Sequence, residues 1–175
     1  MRYGKFLQPG GCIGFAAPSF GCNIEPYRSG FDHAISRFHS MGYGTWSGPN
    51  VYKGSGIGIS ASPDECAAEF SEMFCGGQAD VIISCGGGEL MCGILPYIDF
   101  EAIASSDPKW FMGYSDNTNL TFLLPTLADT AAIYGPCAAT FGMEPWHESI
   151  RDAFDLICGK KREVTNYSMW EKESL

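Results

Sequence analysis

Short apolar runs that stop at glycine, proline or serine alternate along this chain with segments whose apolar residues recur every three or four positions. The runs cover residues 12–17, 43–46, 81–84, 109–114 and 131–134, and they have the length and continuity of strands buried on both faces. The first periodic segment sets Phe31, Ala34, Ile35, Phe38 and Met41 on one side, leaves His33, Ser36, Arg37 and His39 mostly on the other, and has Gly42 placed to stop it. The second opens on a capping box, with Ser62 as N-cap, Pro63 at the first helical position and Glu65 at the third. Its core stripe is Cys66, Ala67, Phe70, Met73 and Phe74, and Gly76 and Gly77 end it. Residues 90–98 and 100–105 predict short helical pieces broken around Pro96. Leu120, Phe122, Leu123 and Leu124 supply a short helix closed near Pro125. A last helix begins near Pro145 and buries Ile150, Ala153, Phe154, Ile157 and Cys158. The path of residues 47–60, rich in Gly, Pro, Ser and Asn, does not follow from the pattern.

Strands that alternate with helices predict an α/β fold: a three-layer, doubly wound, mostly parallel sheet of flavodoxin-like or class I amidotransferase-like shape. Ligands of such sheets lie beyond the carboxyl ends of the strands. Three loops follow strands and could converge there, at residues 17–19, 85–89 and 114–117. Residues 1–159 read as one nucleophile-bearing α/β domain. Residues 160–175 turn polar, lose periodicity and read as a linker.

With 175 residues and a net charge of −9, the chain is long enough for one buried core and too acidic for a nucleic-acid partner. Its one basic run, Lys160, Lys161 and Arg162, reads as solvated linker. No span suits a membrane. The eight cysteines lack metal-ligand spacing, and several sit in apolar segments without a signal peptide ahead of them, so a reducing cytoplasmic setting without structural zinc is expected.

The chemistry concentrates in GYSDNT, residues 113–118. Ser115 stands where an apolar run stops and Asp116 and Asn117 begin a helix. A sharp strand-to-helix turn there exposes a hydroxyl and aims backbone N–H groups at an anion forming beside it. The bland account is an N-cap serine. Gly113 precedes Ser115 by two residues as in a GxSxG elbow, but Asn117 stands where that signature has its second glycine. In the GGGE turn, Gly86 to Glu89, the glycines permit positive φ and close backbone approach. The turn can give one N–H to an oxyanion hole while Asp116 gives the other. It equally suits a tight packing turn; for the alternative of a non-catalytic flavodoxin-like anion- or nucleotide-binding module, no GKS or GKT follows the glycines and the spacing of a dinucleotide fingerprint is not met. Cys85 ends a strand too, and is a rival nucleophile for a cysteine amidotransferase-like activity or simply a buried apolar residue. Among the histidines, His33 and His39 read as surface residues, His147 lies near the last helix start, and none is placed as a general base. Glu89 and Asp116 read as helix-start carboxylates more readily than as paired acids.

GFAAPS at residues 14–19, SCGGGE at 84–89 followed by residues 94–99, and KWFMGYSDNT at 109–118 together resemble the N-terminal half of the LD-carboxypeptidase serine peptidase family, which includes microcin C immunity-type peptidases. The likeness runs over most of residues 11–142. It implies Ser115 as nucleophile, the amides of Asp116 and Gly88 as oxyanion hole, and Gly87 and Glu89 beside the substrate. It also implies a glutamate and a histidine from a C-terminal domain that no segment here matches, so the chain alone is expected to be inactive. The substrate implied is an L,D-peptide amide of cytoplasmic murein peptides, in peptidoglycan recycling, or the peptidyl- or aminoacyl-nucleotide amide of a microcin C-like toxin. No metal or organic cofactor is implied, and complete relatives commonly form homodimers.

Overall fold

The computed structural model describes residues 1–169. Five strands, β1 (Cys12–Ala16), β2 (Gly44–Ser47), β3 (Val81–Ser84), β4 (Trp110–Gly113) and β5 (Ile133–Tyr134), form one sheet in the order β2-β1-β3-β4-β5. Every pairing is parallel. This is the flavodoxin-like order, with its topological switch point between β1 and β3. The helices are α1 (Tyr27–Ser40), α2 (Pro63–Cys75), α3 (Phe100–Ser105), α4 (Thr118–Ala128) and α5 (Glu148–Ile157).

Strand alternation divides the core in two. Ile13, Phe15, Val81, Ile83 and Met112 face one layer, where Phe31 and Phe38 of α1 meet Ile150, Phe154 and Ile157 of α5. Ala16, Ile82 and Phe111 face the other, against Phe70, Met73 and Phe74 of α2, Ile103 of α3 and Leu120 and Leu124 of α4. Each large side chain so buried stabilises the fold by about 1.5–3 kcal/mol, and a sheet covered on both faces needs apolar side chains pointing both ways. That is why its strands are continuous apolar runs.

The capping box of α2 is present: the Glu65 carboxylate accepts the Ser62 N–H at 3.1 Å and the Ser62 hydroxyl at 2.7 Å. The other end of α2 is closed by a residue outside it, because Lys109 is buried and its Nζ donates to the Phe74 and Gly76 carbonyls at 2.5 and 2.6 Å. The first helix ends as expected, with Gly42 at φ +85°.

Two expectations need correction. Helix α4 does not close at Pro125 but runs through it to Ala128 and stops at Asp129, φ +48°. The buried Leu120, Leu124 and Ala128 seat it on the sheet, which outweighs the one backbone bond that proline removes. Met41 falls on the C-cap of α1, where the chain leaves the helix, and is 42% exposed rather than in the core.

The loop after β2 folds back across the ends of β1 and β3. Ser60 N–H and Oγ donate to Ser19 O and Ala17 O at 2.6 and 2.7 Å, Cys22 N–H to Val51 O at 2.7 Å, and Glu89 N–H to Gly58 O at 3.2 Å. At the other end, Lys161 pairs with Asp152 at 2.6 Å and the Tyr167 hydroxyl donates to the same carboxylate, so the start of the expected linker lies along α5. Its last part, residues 170–175, lies outside the described residues.

Candidate active site

Strand β4 ends at Gly113, and Tyr114 extends it into a 3-10 turn, Ser115–Asn117, that feeds directly into α4. Ser115 is exposed and adopts φ +62°, a left-handed conformation that β-carbon-bearing residues adopt only at a cost of about 1–2 kcal/mol. Its neighbours hold it there. Its carbonyl accepts from Thr118 Oγ1 at 2.6 Å, and its N–H donates to the Tyr134 hydroxyl at 3.1 Å. Among the described residues its Oγ has no hydrogen-bond partner.

Asn117 explains the departure from the GxSxG pattern. It is fully buried, and its side-chain amide donates to Gly86 O at 2.8 Å and Tyr114 O at 3.0 Å, pinning the triple-glycine turn to the serine turn. Gly113 is required for this: a Cβ there would lie 2.7 Å from the Asn117 side-chain carbon. An asparagine bond thus replaces the glycine-permitted close approach at the second position.

The carboxylate of Asp116 joins three loops. One oxygen accepts the Met91 N–H at 2.8 Å and the hydroxyl of the buried Ser19, while the other accepts from Asn119 at 3.2 Å. The turns after β1, β3 and β4, expected to converge, therefore meet at one side chain. A Cβ built on Gly87 would stand 3.2 Å from Ser115 Cβ and 3.4 Å from its Oγ, so the glycine turn lies directly against the hydroxyl. Gly88, at φ +135°, has no room for a side chain because Ser19 Oγ and Gly58 O occupy that direction. Among the described residues neither Gly88 N–H nor Asp116 N–H has an acceptor. Glu89 is exposed at the rim, with its own N–H committed to Gly58 O.

The residues not brought together are as informative. His33 is exposed on α1, His39 bonds Thr45 Oγ1 at 2.8 Å, and His147 caps α5, so none hydrogen-bonds to Ser115. Cys85 is fully buried, and burial and the neighbouring Cys22 push its thiol well above the ordinary range. Burial likewise pushes Cys137 up to about 12. Thiols so held stay protonated and serve as packing. Among the described residues no group of His, Cys, Asp and Glu could hold a metal, and no helix is long and apolar enough to cross a membrane.

Sequence reasoning placed Ser19 and Asn117 in loops expected to converge here but gave neither a role, and it missed Tyr134 altogether. Each acts through a bond to a residue distant in the chain or to a turn backbone, which composition and periodicity do not show.

Comparison with known proteins bears on the family and the fold. Residues 13–135 match the family model of the LD-carboxypeptidase N-terminal domain. The chain is 34% identical over 179 residues to a protein of Vibrio cholerae serotype O1 named "Putative carboxypeptidase VC_A0337", covering 97% of this chain and 50% of that protein. It is 28% identical over 171 residues to the microcin C7 self-immunity protein MccF of Escherichia coli, covering 96% and 49%. A solved structure of an MccF variant in complex with adenosine monophosphate superposes with a TM-score of 0.84 at 25% identity, over 98% of this chain and 52% of that one. MccF in complex with aspartyl sulfamoyl adenosine superposes equally, with a TM-score of 0.84 at 25% identity, covering 98% and 52%. The chain spans about half the length of the curated relatives it matches.

Proposed function

Since the chain belongs to the LD-carboxypeptidase family by its N-terminal domain, we propose that it carries the nucleophile half of a serine hydrolase, with Ser115 attacking an amide near a terminal carboxylate. The observation that carries this reading is the exposed, left-handed Ser115 pressed against Gly87, with an uncommitted N–H on the residue that follows it. Attack on the carbonyl carbon develops negative charge on its oxygen, which the N–H groups of Asp116 and Gly88 are free to receive. Preorganised donors of this kind contribute about 2.7–4 kcal/mol each to the barrier.

A serine hydroxyl is a weak nucleophile without a base. No histidine of this chain bonds it, so the proton goes to a histidine, oriented by a glutamate, from the portion of the relatives that this chain does not span. The acyl-enzyme forms as the amine leaves with that proton, and water then releases the acid. On its own the chain is inactive. The substrate is a small peptide whose amide joins an L-centre to a terminal D-amino acid, as in murein peptides, in the cytoplasmic recycling of peptidoglycan. A second reading rests on the ligands of the MccF structures, adenosine monophosphate and aspartyl sulfamoyl adenosine: cleavage of a peptidyl- or aminoacyl-nucleotide amide. Gly87 and Glu89 would flank either substrate.

The test joins this chain to the C-terminal half of the Vibrio cholerae relative and follows product release from a murein tetrapeptide and from aspartyl sulfamoyl adenosine. One of the two is hydrolysed, and Ser115→Ala lowers the rate at least about a thousandfold. Equal rates for both proteins would refute the assignment.

A further inference from the structure

Tyr134 lies at the end of β5, directly opposite Gly113 in the β4 register, and Gly135 N–H donates to Gly113 O at 3.1 Å. This lateral pairing swings the tyrosine ring alongside the serine turn, where its hydroxyl oxygen accepts the Ser115 N–H at 3.1 Å. A phenol oxygen that accepts one bond still has a proton to give. Tyr134 is 62% exposed, and among the described residues its proton has no acceptor. Two neighbouring hydroxyls are spent, Ser19 on Asp116 and Thr118 on Ser115 O. Within Ser115, N and Oγ are three covalent bonds apart, so a hydroxyl bonded to that N–H stands beside any group attached to Oγ. Among the described residues no lysine or arginine bonds to Ser19, residues 86–89, Ser115, Asp116 or Tyr134.

Resting on the reading of Ser115 as nucleophile, we propose that Tyr134 both positions the serine and donates a hydrogen bond to an oxygen anion of the substrate. By capping the Ser115 N–H it keeps that group out of the oxyanion hole, leaving the hole to Asp116 and the glycine turn. Its own proton then faces either the tetrahedral oxygen or the substrate's terminal carboxylate. The two oxygens share one chemistry and differ kinetically: a donor to the tetrahedral oxygen acts only in the transition state, whereas a donor to the carboxylate binds ground and transition states alike.

Tyr134→Phe keeps the ring and removes the oxygen. In the isolated chain, the Ser115 amide proton should move upfield and exchange several-fold faster by NMR; an unmoved amide overturns the clamp. In the chain joined to the relative's C-terminal half, kcat should fall at least tenfold at constant KM if the partner is the tetrahedral oxygen, or KM should rise at least tenfold at constant kcat if it is the carboxylate. Both constants within twofold of the unaltered enzyme overturn the donor role. If Ser115→Ala is as active as its parent, the hydrolase reading fails and the donor role with it, while the amide measurement still decides the clamp.

Discussion

The Asp116 side chain ties Ser19 and Met91 to the serine turn, so removing it should loosen their junction while Asn117 still holds Gly86 to Tyr114. Asp116→Ala deletes the acceptor of the Ser19 hydroxyl and of the Met91 N–H, and Met91 is fully buried, so that donor is left without water or partner. A hydrogen bond to a charged group contributes about 1.5–3 kcal/mol, and a stranded buried donor costs about 1–3 kcal/mol. The carboxylate is itself partly exposed, which lowers the sum to roughly 3–5 kcal/mol. For a chain of this size that corresponds to a fall in Tm of roughly 6–20 °C. Asp116→Asn keeps the shape and one acceptor oxygen and should lose only about 1–2 kcal/mol. Thermal melts by circular dichroism measure the global loss, and hydrogen exchange at the Met91 amide separates local opening from global unfolding. A loss below about 1 kcal/mol with Met91 still protected would refute the idea that one carboxylate organises the site.

Gly88→Ala should destabilise the chain by at least about 2 kcal/mol in urea titrations, because φ +135° is open essentially to glycine alone and Ser19 Oγ blocks the side chain; an unchanged midpoint would contradict it. Iodoacetamide near neutral pH should modify the exposed Cys75 and Cys92 and leave Cys85 untouched in the native chain, as read by peptide mass mapping, whereas rapid labelling of Cys85 would revive a thiol mechanism. Burial raises the Glu69 pKa, so the folded state favours its protonated form, and the benefit present at low pH is lost as pH rises through the folded value. Stability relative to Glu69→Gln should therefore decline from pH 4 to pH 8 in parallel urea titrations, with about 1.4 kcal/mol lost per unit of pKa shift; a flat difference would show the carboxyl to be unshifted.

Most of the architecture was legible because two periodicities were clean. A covered parallel sheet demands uninterrupted runs such as residues 81–84, and a helix seated on it demands the spacing seen in Phe70, Met73 and Phe74. The α2 start was legible to the residue because its signal is local, Ser62 and Glu65 answering each other across one turn. The end of α4 was misjudged because proline's local penalty was weighed without the burial of Leu124 and Ala128 on either side of it. The loop after β2 was illegible because long-range backbone bonds to Ser19, Cys22 and Glu89 fix its path, and these leave no trace in composition. At the site, Ser115 could be named from its place after an apolar run, and its resemblance to a known motif sharpened that reading. Tyr134 could not, since nothing in a sequence tells which tyrosine a strand register will bring beside a serine 19 residues earlier.

The backbone between β2 and α2 has one further consequence. In flavodoxin-like sheets the notch between the first and third strands normally receives a flavin or a phosphate. Here Ser60 and Gly58 bond across that notch to the turns after β1 and β3. The berth is thus laced by the backbone itself, and changes of length or sequence in this segment would reshape one side of the candidate site while leaving every strand in place.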